Sequence, residues 1–271
     1  VKKLLLYLFL ILFTAATLYP IVNVISISLR PGDRLLTTSL ALIPPDASFD
    51  SYRRLFTENP FLRWLFNSTL VAVCVTLTGV ALASTAGYAF SRFRFRGRGF
   101  GMAMLLTTQM FPATMLLLPL FVMLAKLHLI NSYLGIIVVY AATALPFCIW
   151  QMKGYYDTIP ASLEEAALID GCRRWQAFYK IILPLAAPAL VITALFSFMT
   201  AWSEYVVAAQ ILQSQDMFTL PLGLKQFQSN MTTEWGLYAA GSVLMSIPVI
   251  ALFLFLTRWL VSGLTLGSVK G

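Results

Sequence analysis

Six stretches of this chain, residues 4–29, 65–91, 100–125, 132–152, 181–203 and 235–257, run for the length of a membrane span without one charged side chain. Crossing a hydrocarbon core of about 30 Å takes about 20 apolar residues of helix. Inside that core no water is available to the peptide groups, so each must bond within its own helix. The short alternating segments of a membrane barrel are absent. The sequence therefore predicts an all-α integral membrane protein: one transmembrane domain over residues 1–271, with six transmembrane helices. Composition agrees, since 11% of the residues are charged and 59% hydrophobic, whereas soluble domains carry about 25% charged residues.

The net charge of +8 reads as orientation rather than nucleic-acid binding. Arg92, Arg94, Arg96 and Arg98 lie in the short loop 91-SRFRFRGRGF-100, and Lys153, Arg173, Arg174 and Lys180 lie between the fourth and fifth windows. Lys2 and Lys3 precede the first window, which reads as a retained first helix, while the opposite short loops offer Lys126 and Lys225. Basic residues gather on the cytoplasmic side, so both termini and the charged segment are expected there. His128 is the chain's one histidine, and Cys74, Cys148 and Cys172 read as free thiols. No G-x-x-x-x-G-K-[ST] phosphate loop occurs, and no nucleophile–base pair stands out, so the chain is expected not to be an enzyme.

Smaller features admit more than one reading. Gly79, Ala83 and Gly87 recur every four residues, a face for close helix packing inside the chain or against another subunit. Pro20, Pro112, Pro119, Pro146 and Pro248 interrupt apolar windows and predict kinks. Glu204 is placed near the outer interface. Trp202, Tyr205 and Trp235 suit an interfacial aromatic belt.

The segment 160–184 is the anomaly, because it is charged and amphipathic between two apolar runs. Ser162 and Glu165 have capping-box spacing, Pro160 limits the helix upstream, and Gly171 suits a left-handed stop. Trp175, Phe178 and Ile182 are spaced to share a face of a second helix. The product is a helix–turn–helix that either rests on lipid or docks in a protein groove, with Ala166 and Ala167 forming one shallow face.

Glu165-Ala166-Ala167, three residues, Gly171, nine residues, then Ile181-x-Leu183-Pro184 resembles the cytoplasmic docking motif of binding-protein-dependent ABC importer permeases. Asp170, 85-TAGYAFSRFRF-95, 109-QMFPA-113, 174-RWQAF-178 and 258-RWLVSGLTLGSVKG-271 extend the match, which is to the G-type maltose/maltodextrin subunits and covers nearly the whole chain. The resemblance implies the MetI-like permease fold in a prokaryotic inner membrane, and a heteromeric sugar importer. Its implied partners are an F-type permease subunit, a dimer of cytoplasmic ABC ATPases, an extracytoplasmic sugar-binding protein and membrane lipid, with no nucleic acid. It implies ATPase coupling through Glu165, Ala166, Ala167, Asp170 and Gly171. Gly263, Leu264, Thr265 and Lys270, in a cytoplasmic tail over 260–271, are implied to contact the ATPases. Leu220, Pro221, Gln226 and Asn230 are implied to contact the binding protein. No cofactor is implied on this chain, ATP and Mg belonging to the partner ATPase. A gradient-driven secondary transporter and a non-transporting scaffold are the competing readings.

Overall fold

The computed structural model describes residues 2–33, 35, 43–228 and 233–266. Among these the regular elements are helical, and β structure is confined to one isolated bridge between Gln228 and Thr233. In chain order the helices are α1 (Lys2–Ser28), α2 (Asp50–Thr57), α3 (Phe61–Arg92), α4 (Arg98–Thr108), α5 (Ala113–Lys126), α6 (Tyr133–Thr158) and α7 (Ser162–Ile169). They continue with α8 (Arg174–Ala177), α9 (Leu183–Leu185), α10 (Ala187–Ser203), α11 (Val206–Ile211), α12 (Leu220–Lys225) and α13 (Trp235–Leu266).

Four helices, α1, α3, α6 and α13, are long and apolar enough to span a membrane unbroken. The other two windows correct the expectation of six continuous helices. Window 100–125 divides into α4 and α5, of 11 and 14 residues, each short of the about 20 that a span requires. Pro112 stands at the division; it has no N–H to carry the helix ladder, and it drives the preceding residue away from helical geometry. Window 181–203 opens in a bent segment, where Arg174–Leu185 meets α10 at 78°. Pro184 and Pro188 flank that bend, four residues apart, so the second ring opposes the carbonyl of the first.

The contacts divide the chain into two compact units, with boundaries at Leu65/Phe66, Phe218/Thr219 and Val249/Ile250. In the larger unit the small-residue face of α3 is used for internal packing. A Cβ on Gly79 would come within 2.7 Å of Ser197 Oγ, and one on Gly87 within 2.8 Å of Met152 Cβ, while Ala83 is fully buried. Thr193 of α10 donates to Gln151 Oε1 of α6 at 2.8 Å. Asn67 donates to the carbonyls of Asp216 and Phe218, both at 2.8 Å, and accepts from Tyr133 at 2.7 Å. Glu204 closes the gap between α10 and α11: its carboxylate accepts from the Val207 amide at 3.0 Å and from the Tyr140 hydroxyl at 2.7 Å. That acid is therefore a cap, a more specific task than resting at an interface.

In the smaller unit, α12 lies against Trp64. A Cβ on Gly223 would sit 2.2 Å from the indole, and Phe227 packs on the same ring with centroids 6.1 Å apart. Arg54 of α2 pairs with Glu234 at 2.9 Å and with Glu58 at 3.1 Å, and Tyr52 bonds Ser28 at 2.8 Å. The most apolar stretch of α1 has no buried residue. A helix apolar on all sides is matched to lipid or to another membrane chain.

Candidate functional site

α6 continues past the uncharged window to Thr158, which brings Lys153 and Asp157 into an i,i+4 ion pair. Ile159 then turns extended before Pro160, as a residue preceding proline tends to do. The expected Ser162/Glu165 capping box does not form. Ala161 occupies the N-cap with no side-chain bond, and the carbonyls of Pro160 and Ala161 accept from Leu163 and Glu165. Ser162 has already joined the helix, one residue too late to cap it. The other end behaves as read: Gly171 adopts φ +85, Cys172 N–H bonds Ala167 C=O at 2.9 Å and Gly171 N–H bonds Leu168 C=O at 3.1 Å. This is a complete Schellman stop, which a Cβ at Gly171 would strain.

The two faces of α7 differ in kind. Ala167 is 4% exposed and faces inward, whereas Glu165, Ala166, Asp170 and Gly171 are exposed. Ala166 and Ala167 therefore do not share a shallow outer face; they are successive helical residues, about 100° apart, on either side of the helix's edge. The outer face gains instead Leu163 and, above all, Ile169, which is 86% exposed.

After Gly171 the chain re-enters a helix in which Arg173 N–H bonds Gln176 Oε1 at 2.7 Å. A π turn over Phe178–Ile182 follows, closed by Leu183 N–H on Phe178 C=O. The wider turn breaks the 3.6-residue period, so the expected Trp175–Phe178–Ile182 face is split. Ile182 is buried and Phe178 packs at a tilt on Tyr88, centroids 4.6 Å apart, but Trp175 is exposed and stacks on Tyr179 at 4.9 Å.

Behind α7 lies a polar cluster that spacing alone did not reveal. Arg92, at the end of α3, pairs through Nε with Glu164 and donates through Nη2 to the Ile159 carbonyl at 2.8 Å. Tyr88, one turn earlier, donates its hydroxyl to the other Glu164 oxygen at 2.7 Å. The Arg92 and Glu164 side chains are 14% and 13% exposed. Ser91 bonds Asp157 at 2.6 Å. An open cleft of about 190 Å³ borders this cluster, lined by Tyr88, Arg92, Phe93, Glu164, Glu165 and Arg174 among others. The available signal was the i,i+3 pairing of Glu164 with inward Ala167, and the i,i+4 pairing of Tyr88 with Arg92.

The family model for a binding-protein-dependent transport system inner membrane component matches residues 60–266. The chain belongs to that family. Among its relatives, the maltose/maltodextrin transport system permease protein MalG of Salmonella typhimurium is 37% identical, over 100% of this chain and 96% of its own. The protein of the same name from Escherichia coli K12 is 37% identical over 98% and 95%. The arabinooligosaccharides transport system permease protein AraQ of Halalkalibacterium halodurans is 33% identical over 93% and 91%. Among solved structures, a chain from a bacterial ABC transporter involved in import of the acidic polysaccharide alginate superposes with TM-score 0.82, at 26% identity over 95% of each chain.

Other residues singled out in this binding-protein-dependent permease are placed as follows. Leu220 is 0% exposed, so it packs internally and offers a binding protein no surface; Pro221 is half-buried and Gln226 exposed, and Asn230 lies outside the described residues. Gly263, Leu264 and Thr265 belong to α13. The separate tail expected from residue 260 is therefore the helix itself as far as Leu266, while Lys270 lies outside the described residues. Trp202 is 2% exposed and stacks on Phe198 at 5.2 Å, so it packs internally instead of joining an aromatic belt.

Proposed function

We propose that this chain is the membrane-spanning subunit of an ATP-driven, binding-protein-dependent importer of oligosaccharides of the maltodextrin type. It forms the translocation path with a second, F-type permease subunit and takes its driving force from a cytoplasmic ATPase dimer that carries the ATP and Mg. The carrying observation is the outer face of α7. Leu163, Glu165, Ala166 and Ile169 stand exposed on a helix whose inner face is tied down by Arg92 and Tyr88. An exposed large aliphatic beside acids, on an element held this firmly, suits a protein groove. The same helix carries the Glu165-Ala166-Ala167…Gly171 spacing.

In this reading α7 and both termini are cytoplasmic, in keeping with Lys2, Lys3 and the arginines of 92–98. The 32 residues of α13 make about 48 Å of helix at about 1.5 Å per residue. Its C-terminal end, with Gly263, Leu264 and Thr265, thus has length to reach beyond a core of about 30 Å toward the ATPases. Gln226, exposed in the loop before α13, serves the extracytoplasmic sugar-binding protein, and the same role is proposed for Asn230. The names of the MalG relatives support a maltodextrin cargo. The AraQ relative makes arabinooligosaccharides the comparison in any substrate panel.

The test is uptake into proteoliposomes holding the complex purified on this subunit, with binding protein outside and ATP inside. Maltodextrin accumulation that needs both is expected, with an ATPase and a second permease co-purifying. Uptake driven by a proton or sodium gradient without ATP would overturn the reading in favour of a secondary transporter.

A further inference from the structure

Arg92 joins three elements at one guanidinium. It stands at the end of its own helix α3, pairs with Glu164 of α7, and donates to the Ile159 carbonyl where α6 ends. Both Glu164 oxygens are occupied, one by Arg92 and the other by the Tyr88 hydroxyl at 2.7 Å. Tyr88 also packs on Phe178 at 4.6 Å and on Tyr156 at 5.9 Å. It thereby links α7 to the π turn after it and to α6.

A pair so poorly hydrated is weak evidence for stability, because apolar residues of similar volume often serve a fold as well or better. What a carboxylate held at both oxygens, one by Arg92 and the other by Tyr88, supplies is direction and register. α7 has eight residues and is tethered by Pro160 at one end and the Gly171 stop at the other. Packing through small Ala167 alone gives such a helix little to prevent it from swivelling under load.

We infer that Tyr88, Arg92 and Glu164 form a positioning clamp that makes α7 move as one body with the inner ends of α3 and α6. A displacement imposed on the outer face of α7 then reaches the transmembrane helices instead of being absorbed by rotation of α7. The inference rests on the docking role proposed above and assigns these residues no contact with the ATPase. Coupling of this kind requires a contiguous mechanical element, and its signature is transport per ATP rather than binding.

The experiment uses the full transporter in proteoliposomes and measures ATPase co-purification, ATP hydrolysis and sugar uptake for each variant. Glu164→Gln is expected to keep co-purification and hydrolysis within about twofold of wild type while uptake per ATP falls at least tenfold. The charge swap Arg92→Glu with Glu164→Arg is expected to recover at least a third of the wild-type ratio. Tyr88→Phe removes one hydroxyl without changing ring packing, and is expected to lower the ratio about threefold in a protein of unchanged melting temperature. A wild-type ratio in both Glu164→Gln and Tyr88→Phe overturns the clamp. So does loss of co-purification in step with uptake, which would make Glu164 a docking residue. If wild type itself shows no ATP-dependent uptake, the parent reading fails instead, and the two failures are told apart by that control.

Discussion

Two insertions between apolar runs, 160–184 and 219–234, look alike in sequence: each is short, each carries proline and glycine, and each mixes aliphatic with polar residues. In the structure they do opposite things with their aliphatic side chains. α7 turns Leu163 and Ile169 outward and pins its inner face with charge. α12 turns Leu220, Leu222 and Leu224 inward and brings Gly223 onto Trp64. The first is built as a presented surface on a polar foundation; the second is a piece of core that happens to lie in a loop. Exposed aliphatic surface without an internal partner is what a docking element needs, and buried aliphatic surface is what a rigid platform needs.

The contrast can be broken most severely at Gly223. Gly223→Leu drives a side chain into the buried Trp64 ring, and overpacking on this scale costs about 3 kcal/mol. A lower melting temperature and poorer recovery from detergent are expected, and an unchanged melting temperature would remove the platform reading. Ala167→Leu comes next, at about 2 kcal/mol from the same cause, because Ala167 is buried. Ala166→Leu, one residue earlier and exposed, should leave stability unchanged and weaken ATPase capture in a pull-down. Equal melting temperatures for the two variants would erase the distinction between the faces of α7.

A smaller loss follows from Glu204→Gln, which weakens the cap on the Val207 amide and should cost about 1 kcal/mol, read from denaturant unfolding. Ile169→Ser, like Ala166→Leu, should barely change stability, staying within about 0.5 kcal/mol of wild type as for ordinary surface changes. That same variant is expected to lose most of the co-purifying ATPase, and its retention at wild-type level would count against docking through this face.

Legibility from sequence tracked how local the deciding physics was. The end of α7 at Gly171 was readable because a left-handed stop is a property of one residue and its neighbours. Its start was misread because Ser162 satisfies the capping pattern wherever the chain enters the helix, and only the path out of α6 through Pro160 decides that Ala161 is the cap. The face containing Trp175 was misassigned because a π turn leaves no periodic trace before it forms. Gly79 and Gly87 announced close packing without naming the partner, and the structure assigns them to α10 and α6. Arg92 was legible as one of four loop arginines, but not as the one that turns back under α7.

Sequence alone determined that the chain is helical and lives in a membrane, because uncharged windows of span length leave the backbone no other way to satisfy its hydrogen bonds. One local spacing motif also marked, by resemblance, the segment for which docking is proposed. Tertiary structure decided which of those windows are broken, which alanine faces out, and how Glu164 is held. Those outcomes depend on contacts between residues as far apart as Arg92 and Glu164, whose proximity no local propensity contains.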